Sequence, residues 1–228
     1  MVPSIPYNYI DRPTNLSLFV FISVYLIELK STEFPGVEGK CMIENTIELT
    51  MKNQEEDAII AAAQRDPAAF EQLYNRYVQA LFRYLYSRVS SVPVAEDLTA
   101  QTFLAALEGF NRYKHRGHFA AWLFSIGRSK LMDYYRQQRR QIPLEAAEEV
   151  PVETDLLQKV IQSEQVAALA GQIAALPETE RELIRLRYVA ELSFCEIAKL
   201  DGRNQEAIKK SMYRLLARLH SQLEESHD

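Results

Sequence analysis

The sequence predicts an all-α protein made of two small helical domains joined by an acidic linker. Only seven of the 228 residues are glycine, and long runs rich in Ala, Leu, Glu, Gln and Arg favour helices. Apolar residues recur at helical spacing from Asp57 onward, until Pro143, Pro151 and clustered carboxylates interrupt the pattern. We therefore expect a first domain at residues 51–140, a linker at residues 141–162 and a second domain at residues 163–228.

The overall charge limits the kind of DNA contact that is possible. A formal net charge of -5 is not the basic balance that is usual for a protein binding nucleic acid unaided. Any DNA contact must therefore be local and assisted by a larger partner. Cys41 and Cys195 are far apart and no paired His spacing accompanies them, so neither a disulfide framework nor a zinc site is expected. We expect no cofactor, and a reducing cytoplasm fits best.

Residues 1–50 differ in character from the rest of the chain. The apolar stretch Leu16–Leu29 is shorter than the roughly twenty residues that span a bilayer. A signal-type segment is one interpretation, although Asp11 stands beside Arg12 and no cleavage site is clear. A membrane anchor is another. We favour a third, an upstream extension that is not part of the working protein, because Met51 opens a polar, helix-forming sequence.

Three main helices are expected in the first domain. Asp66 and Pro67 supply a cap and a first-turn proline for one of them. We expect the helices near residues 67–89, 94–108 and 119–138. Their apolar positions are Phe70, Leu73, Tyr74, Tyr77, Leu81 and Leu85, then Leu98, Phe103, Leu104 and Leu107, and then Ala120, Leu123, Phe124, Gly127, Leu131 and Tyr134.

The third of these helices, with the polar loop before it, has the composition of a surface for an opened nucleic-acid strand. Aromatic rings can stack on bases while cations hold the backbone. Alternatively, the aromatics are core and the arginines only keep the surface soluble. His115 and His118 lie three apart, but no further ligand completes a metal site. The candidates are an exposed Tyr113, Lys114, Trp122, Ser129, Lys130, Arg136, Arg139 and Arg140.

The second domain has the pattern of a helix-turn-helix over Leu176–Leu219. Pro177 opens a helix that we expect to run to about Ala190. Ser193 and Glu196 then have the spacing of a capping box at the start of a short second helix. This order of signals predicts a short second helix that a turn joins at a steep angle to a third, DNA-facing helix.

The turn at residues 201–203 and the potential cap Asn204 introduce the third helix. Its core positions are Ile208, Met212, Leu215 and Leu219. A cationic row on another face suits the phosphates beside a major groove, and residues at the helix start are placed to reach bases. A solvated charge stripe is the alternative. The DNA candidates are Arg203, Gln205, Glu206, Lys209, Lys210, Arg214 and Arg218.

The order of these pieces resembles a known family, the bacterial RNA polymerase sigma factors of the extracytoplasmic-function branch, over residues 51–222. Residues 70–89 and 95–113 are similar to the two helices of conserved region 2 that dock on the polymerase core. Residues 119–140 resemble the segment that recognises and melts the promoter -10 element. Residues 176–219 resemble region 4, which reads the -35 element.

This resemblance implies partners and residue roles. It implies that Asp97, Leu98 and Phe103 dock on the clamp helices of the largest catalytic polymerase subunit, with the flap of the other large subunit as a further contact. The two sets of DNA candidates become contacts to the -35 duplex and the -10 strand. An anti-sigma factor is implied too, and any membrane contact would be indirect, through it. Asp201 and Arg203 depart from the family pattern, because they replace apolar residues of the turn.

Two other functions fit parts of the sequence. A stand-alone helix-turn-helix regulator would bind its DNA tightly without polymerase. A degenerate relative would act only as a protein-interaction module and never reach DNA. An enzyme is not expected, because the sequence has no Walker-type glycine loop, no Ser/His/Asp order and no metal cluster.

Overall fold

The computed structural model describes residues 54–114, 118–141 and 164–225, and within them the predicted all-α fold is confirmed. The expectations for residues 1–50, for His115 and for nearly all of the linker lie outside these ranges. Short 3-10 turns at Pro67–Ala69 and Phe110–Arg112 connect the helices of the first unit. The helices are α1 (residues 54–63), α2 (Phe70–Val89), α3 (Val92–Gly109), α4 (Phe119–Gln141), α5 (Glu164–Ala175), α6 (Glu178–Ile184), α7 (Phe194–Asp201) and α8 (Gln205–Glu225).

The first unit is a bundle in which α3 packs against both α2 and α4. The predicted cap is present, because the side chain of Asp66 accepts a hydrogen bond from the backbone of Ala68 at 2.9 Å. Helix α3 begins two residues earlier than predicted, since Pro93 fits a first turn that needs no backbone donor. The predicted apolar positions of α2 and α4 are buried, apart from the half-buried Tyr74 and Tyr134.

The second unit ends in the predicted helix-turn-helix, α7 and α8. Ser193 and Glu196 form both hydrogen bonds of the capping box at the start of α7. Gly202 ends α7 with a φ of 63°, a conformation that glycine adopts without strain. The side chain of Asn204 accepts from the backbone of Glu206 at 2.8 Å. All four predicted core residues of α8 are buried: Ile208, Met212, Leu215 and Leu219.

One helix of the second unit differs from the prediction. A single α-helix was expected to about Ala190, but α6 ends at Ile184 and a π-helical turn, Arg185–Val189, follows it. The backbone N–H of Ala190 donates to the carbonyl of Arg185 at 2.9 Å, which is the wider spacing of a π turn. Glu191 then takes a φ of 57°. The π turn places buried Leu186 and Val189 towards the core.

The two units pack against each other in this structure. The π turn lies against α2, and α7 lies against α4. One apolar core consequently runs through both units, because Leu186 and Ile197 belong to the same buried cluster as Leu81 and Phe124. The sequence predicted two domains and their order, but it contained no signal for this contact.

Gly127 lies where three helices of the first unit meet, so its substitution tests the packing. A Cβ added there would be 3.0 Å from Cδ1 of Leu81 on α2 and 3.7 Å from Cγ2 of Thr102 on α3. We expect Gly127→Val to lower the free energy of unfolding by about 1–3 kcal/mol in urea titrations, because the added methyl groups overpack this site.

Gly171 on α5 is the matched control, because a Cβ added there meets nothing within 4 Å. Gly171→Ala should raise the free energy of unfolding by up to about 1 kcal/mol, since alanine is the better helix former. Wild-type stability of Gly127→Val would contradict the close approach of α2, α3 and α4.

Candidate nucleic-acid and protein interfaces

The outer face of α3 carries one of the three predicted docking residues. Asp97 is exposed, and its Oδ2 accepts a hydrogen bond from Nε2 of Gln101 at 2.7 Å. Leu98 and Phe103 are only 3% and 5% exposed and belong to the core. Their side chains therefore shape α3 from inside, and any part they take in docking would be indirect.

Two of the predicted apolar positions of α3 carry large side chains that point outward. Leu104 is 55% exposed and Leu107 is 44% exposed. At 100° per residue, Leu104 lies half a turn from the buried side defined by Ala95, Thr102 and Ala106. That angular position was the available signal, and the sequence analysis did not use it to separate exposed from buried apolar positions. Together with Asp97 they form an apolar surface with an acidic edge, which we call the α3 face.

The aromatic candidates on and before α4 are packed together. The ring centroids of Tyr113 and Trp122 are 4.6 Å apart, and Tyr113 also stacks on Phe110. Both rings are half-buried, so Tyr113 is not exposed as predicted. Neither residue is fully buried, and the packing fixes the orientation in which a base could meet the two rings.

The polar candidates of α4 lie on one side of the helix. Trp122, Ser129, Arg136 and Arg140 follow one another at intervals of seven, seven and four residues, which places them on a common face. Ser129, Arg136 and Arg140 are exposed, although Arg136 also pairs with Asp133 at 3.0 Å. Lys114 and Arg139 are also exposed but do not belong to this set. Lys130 is half-buried on another side of α4. We call the common set the α4 face.

Helix α8 presents the cations that the sequence predicted for duplex DNA. Lys210 and Arg214 are exposed on its surface. Lys209 pairs with Glu206 at 3.0 Å, and Arg218 pairs with Glu180 of α6. These cations are therefore not equivalent, because binding DNA through Lys209 or Arg218 would compete with an existing ion pair.

The residues at the start of α8 that the sequence predicted to reach bases are at least partly exposed. Arg203 and Glu206 are exposed and Gln205 is half-buried. The guanidinium of Arg203 donates to Oγ of Ser211 at 3.3 Å, which turns this side chain along the helix. Tyr213 is 55% exposed and was not among the predicted candidates.

A group of charges joins the two units, and we call it the ionic seam: Arg88 and Arg128 of the first unit with Glu178, Glu182 and Asp201 of the second. The carboxylate of Glu182 accepts from Nη1 of Arg88 at 2.8 Å and from Nη2 of Arg128 at 3.1 Å. Arg128 also donates to Oδ1 of Asp201 at 2.8 Å, and Arg88 pairs with Glu178.

Glu182 is the most enclosed carboxylate of the seam. Burial alone would raise its pKa, but the hydrogen bond from Tyr84 and the charges of Arg88 and Arg128 together outweigh burial and lower the pKa. The Tyr84 hydroxyl donates to Oε1 of Glu182 at 2.7 Å. The ionised carboxylate is therefore the form that this contact stabilises.

Neither a membrane-spanning helix nor a metal site is found in the part of the chain that the structure describes. None of its helices is both long and apolar enough to cross a membrane. No group of three or more His, Cys, Asp or Glu side chains there could hold a metal ion.

Comparison with known proteins assigns each unit to a family model. The model of Sigma-70 region 2 matches residues 73–141, and the model of Sigma-70, region 4 matches residues 173–220. Together they cover the α3 and α4 faces of the first unit and the helix-turn-helix of the second. The order of the two matches is the order that the sequence resemblance predicted.

Individual relatives agree with these models. The ECF RNA polymerase sigma factor BldN of Streptomyces coelicolor is 34% identical over 155 residues, which are 66% of this chain and 59% of that protein. The ECF RNA polymerase sigma factor SigD of Mycobacterium tuberculosis is 29% identical over 202 residues, covering 83% of this chain and 95% of SigD. The structure of CnrH in complex with the cytosolic domain of CnrY has a TM-score of 0.53 at 25% identity and covers 73% of this chain and 96% of that one.

The ionised state of Glu182 leads to a pH-dependent prediction. Because its pKa in the folded chain is lower than the ordinary value of 4.5, its stabilising effect is present above pH 4.5 and is lost as the pH falls through the folded pKa. We expect Glu182→Gln to lower the free energy of unfolding by about 1–3 kcal/mol at pH 7. The difference from wild type should shrink as the pH falls towards 3.

Urea titrations at several pH values measure this difference. Glu71→Gln is the control, because Glu71 is an exposed carboxylate in the first turn of α2 and its neutralisation should change stability by less than about 0.5 kcal/mol. An equal loss for Glu182→Gln at pH 7 and pH 3 would show that its charge is not what stabilises the contact.

Proposed function

The chain belongs to the extracytoplasmic-function branch of the sigma-70 family, and from this premise we propose that it binds the core of RNA polymerase and directs transcription initiation at specific promoters. The observation that carries the proposal is the presence of a region 2 unit and a region 4 unit in one chain, each with a solvent-exposed face of suitable chemistry. The comparisons give no support to a stand-alone regulator or to a pure interaction module.

Docking on the polymerase core takes place through the α3 face. Leu104 and Leu107 supply exposed apolar area, and Asp97 supplies a negative edge. Such a surface fits a partner helix that offers apolar and basic side chains, which is the chemistry we assign to the clamp helices of the largest catalytic subunit. The flap of the other large subunit is a second contact, for the region 4 unit.

Recognition of the -35 element takes place through α8. The helix enters the major groove, Lys210 and Arg214 hold phosphates, and Arg203, Gln205 and Glu206 at its start lie near base edges. Lys209 and Arg218 add phosphate contacts after their ion pairs with Glu206 and Glu180 break and DNA phosphates replace the carboxylates.

Recognition and opening of the -10 element take place through the α4 face and the loop before it. Arg136 and Arg140 hold the backbone, and Ser129 offers a small hydrogen-bonding group. The packed pair Tyr113 and Trp122 offers partly open rings on which an unstacked base can rest. Stacking at about 1–3 kcal/mol per base offsets the few kcal/mol that unstacking costs.

The remaining parts of the proposal follow from this role. Positioning and melting of DNA need no covalent chemistry by the chain, so we propose that it is not an enzyme. It acts where the polymerase is, in the cytoplasm. The similar protein CnrH was solved with the cytosolic domain of CnrY, and we propose that this chain too has an inhibitory anti-sigma partner, which provides its only link to a membrane.

Charge reversal on the α3 face tests the docking step. Asp97→Arg should reduce run-off transcription with purified core polymerase at least tenfold, because it places a positive charge against the basic side chains of the partner. Leu107→Glu should do the same, because it places a charge in the apolar part of the contact. Arg65→Glu, an exposed charge reversal outside the two helices that resemble the docking region, should retain wild-type activity. Tight binding of a specific duplex without polymerase, unaffected by Asp97→Arg, would favour the stand-alone regulator instead.

Salt dependence tests the -35 contacts. Lys210→Ala and Arg214→Ala should each weaken binding of the holoenzyme to promoter DNA and reduce the slope of log K against log salt by about 0.9, because each removes one phosphate contact. Arg65→Ala, which removes an exposed arginine from the first unit, should leave the slope unchanged. Unaltered slopes for both α8 variants would support the protein-interaction module.

A further inference from the structure

Helix α1 is part of the first unit although it lies before residue 73, where the family model of region 2 begins. Ile60 and Ala63 of this helix are buried in the core that α2, α3 and α4 share. Glu56 is buried as well, and its Oε2 accepts a hydrogen bond from the hydroxyl of Tyr77 on α2. These contacts hold α1 against α2, so the residues at the end of α1 have a defined position.

The end of α1 contacts the segment that leads towards α4. Nε2 of Gln64 donates a hydrogen bond to the backbone carbonyl of Tyr113 at 3.2 Å, across 49 positions of sequence. The backbone N–H of Gln64 donates to the carbonyl of Ile60 at 3.0 Å, so the last turn of α1 holds the residue that reaches across. The backbone N–H of Tyr113 donates to the carbonyl of Phe110 at 3.0 Å. Both backbone polar groups of Tyr113 are therefore bonded, which fixes the direction in which its ring leaves the chain.

Aromatic contacts support the ring of Tyr113 from the same corner of the fold. Phe70, the first residue of α2, meets Phe110 edge to face, with the ring centroids 5.2 Å apart. Phe110 in turn stacks on Tyr113 at 6.0 Å, and the Tyr113 ring lies 4.6 Å from the ring of Trp122. The turn between α1 and α2 therefore supports Tyr113 in two ways, through its carbonyl and, by way of Phe110, through its ring.

The bond from Gln64 is better suited to positioning than to stabilising the fold. Gln64 is exposed, so water competes for its amide and the net contribution of the bond to folding is small. Its loss would leave the ring contacts of Tyr113 in place but would remove the group that sets the position of its backbone. A binding site works only when supporting groups hold its contacting residues to within about 0.5 Å. A small shift of the Tyr113 ring would therefore weaken stacking while the domain stays folded.

We propose that Gln64 is a positioning residue of the -10 site: its side-chain amide holds the backbone of Tyr113 so that the rings of Tyr113 and Trp122 are set to receive an unstacked base. The part of this inference that concerns base capture rests on the proposed function. The positioning itself does not, since it can be measured on the purified chain without polymerase or DNA.

Fluorescence of the purified full chain tests the positioning, because Trp122 is the single tryptophan of the sequence. Gln64→Met removes the donor but keeps the length of the side chain and its lack of charge. We expect acrylamide to quench this variant about 1.5-fold more strongly than wild type, because the freed Tyr113 no longer stays against the indole ring. Gln54→Met, the same change at the exposed start of α1, should match wild type. Circular dichroism checks that each variant is folded, and wild-type quenching of a folded Gln64→Met chain would overturn the proposal.

Two DNA probes separate positioning from a general loss of function. One is a single-stranded oligonucleotide with the non-template -10 sequence of a promoter that wild-type holoenzyme uses in run-off transcription, and the other is a duplex with the -35 element of the same promoter. Gln64→Met should weaken holoenzyme binding of the single strand about fivefold, a part of what one stacked base contributes, and leave duplex binding unchanged. Equal weakening for both probes, or for neither, would contradict a role at the -10 site.

A double-mutant cycle tests whether Gln64 acts through Tyr113. Tyr113→Leu removes the stacking ring and keeps an apolar side chain in its place. In that background Gln64→Met should cause no further loss of single-strand binding, because the position of an absent ring cannot matter. A second loss of the same size would show that Gln64 acts independently of Tyr113 and would refute the proposal. If wild-type holoenzyme binds neither probe, the proposed function fails, and the quenching result still decides whether Gln64 positions Tyr113.

Discussion

The arrangement of the two units depends on how one carboxylate is accommodated. Helix α6 places Glu182 against the first unit. Burying a carboxylate costs free energy unless hydrogen-bond donors surround it. Tyr84 and Arg88 of α2 and Arg128 of α4 supply those donors. Because the donors come from two helices of the first unit, satisfying Glu182 also fixes the direction from which the second unit approaches.

Features that depend on neighbouring residues could be predicted from the sequence. The capping box of Ser193 and Glu196, the turn at Gly202 and the cap at Asn204 are each set by side chains within a few positions of the backbone groups they satisfy. The buried stripe of α8 follows from helical spacing in the same way. The α3 face was predicted only in part. Asp97 was among the predicted docking residues, but the angular position of Leu104 on the helix, which places it at the surface, was not used.

Features that depend on distant residues could not be predicted. Arg128 and Asp201 are 73 positions apart, and each alone looks like a surface charge. The sequence showed only that Asp201 replaces an apolar residue of the family's turn. The structure shows that its carboxylate accepts a hydrogen bond from Arg128. The π turn before Glu191 was also missed, because its wider spacing reflects the core position of Leu186 and Val189 more than any local signal.

The ionic seam also affects which charges of the chain are exposed to solvent. Carboxylates of the second unit neutralise arginines of the first, while the cations of the α4 face and of α8 remain at the surface. Each of these basic surfaces is short, so we expect it to make few phosphate contacts with DNA by itself. Two such surfaces at the right spacing combine their affinities, because the second binds at a high effective concentration. Under the proposed function, specificity comes from the spacing that an attached polymerase imposes, so weak individual sites are compatible with selective initiation.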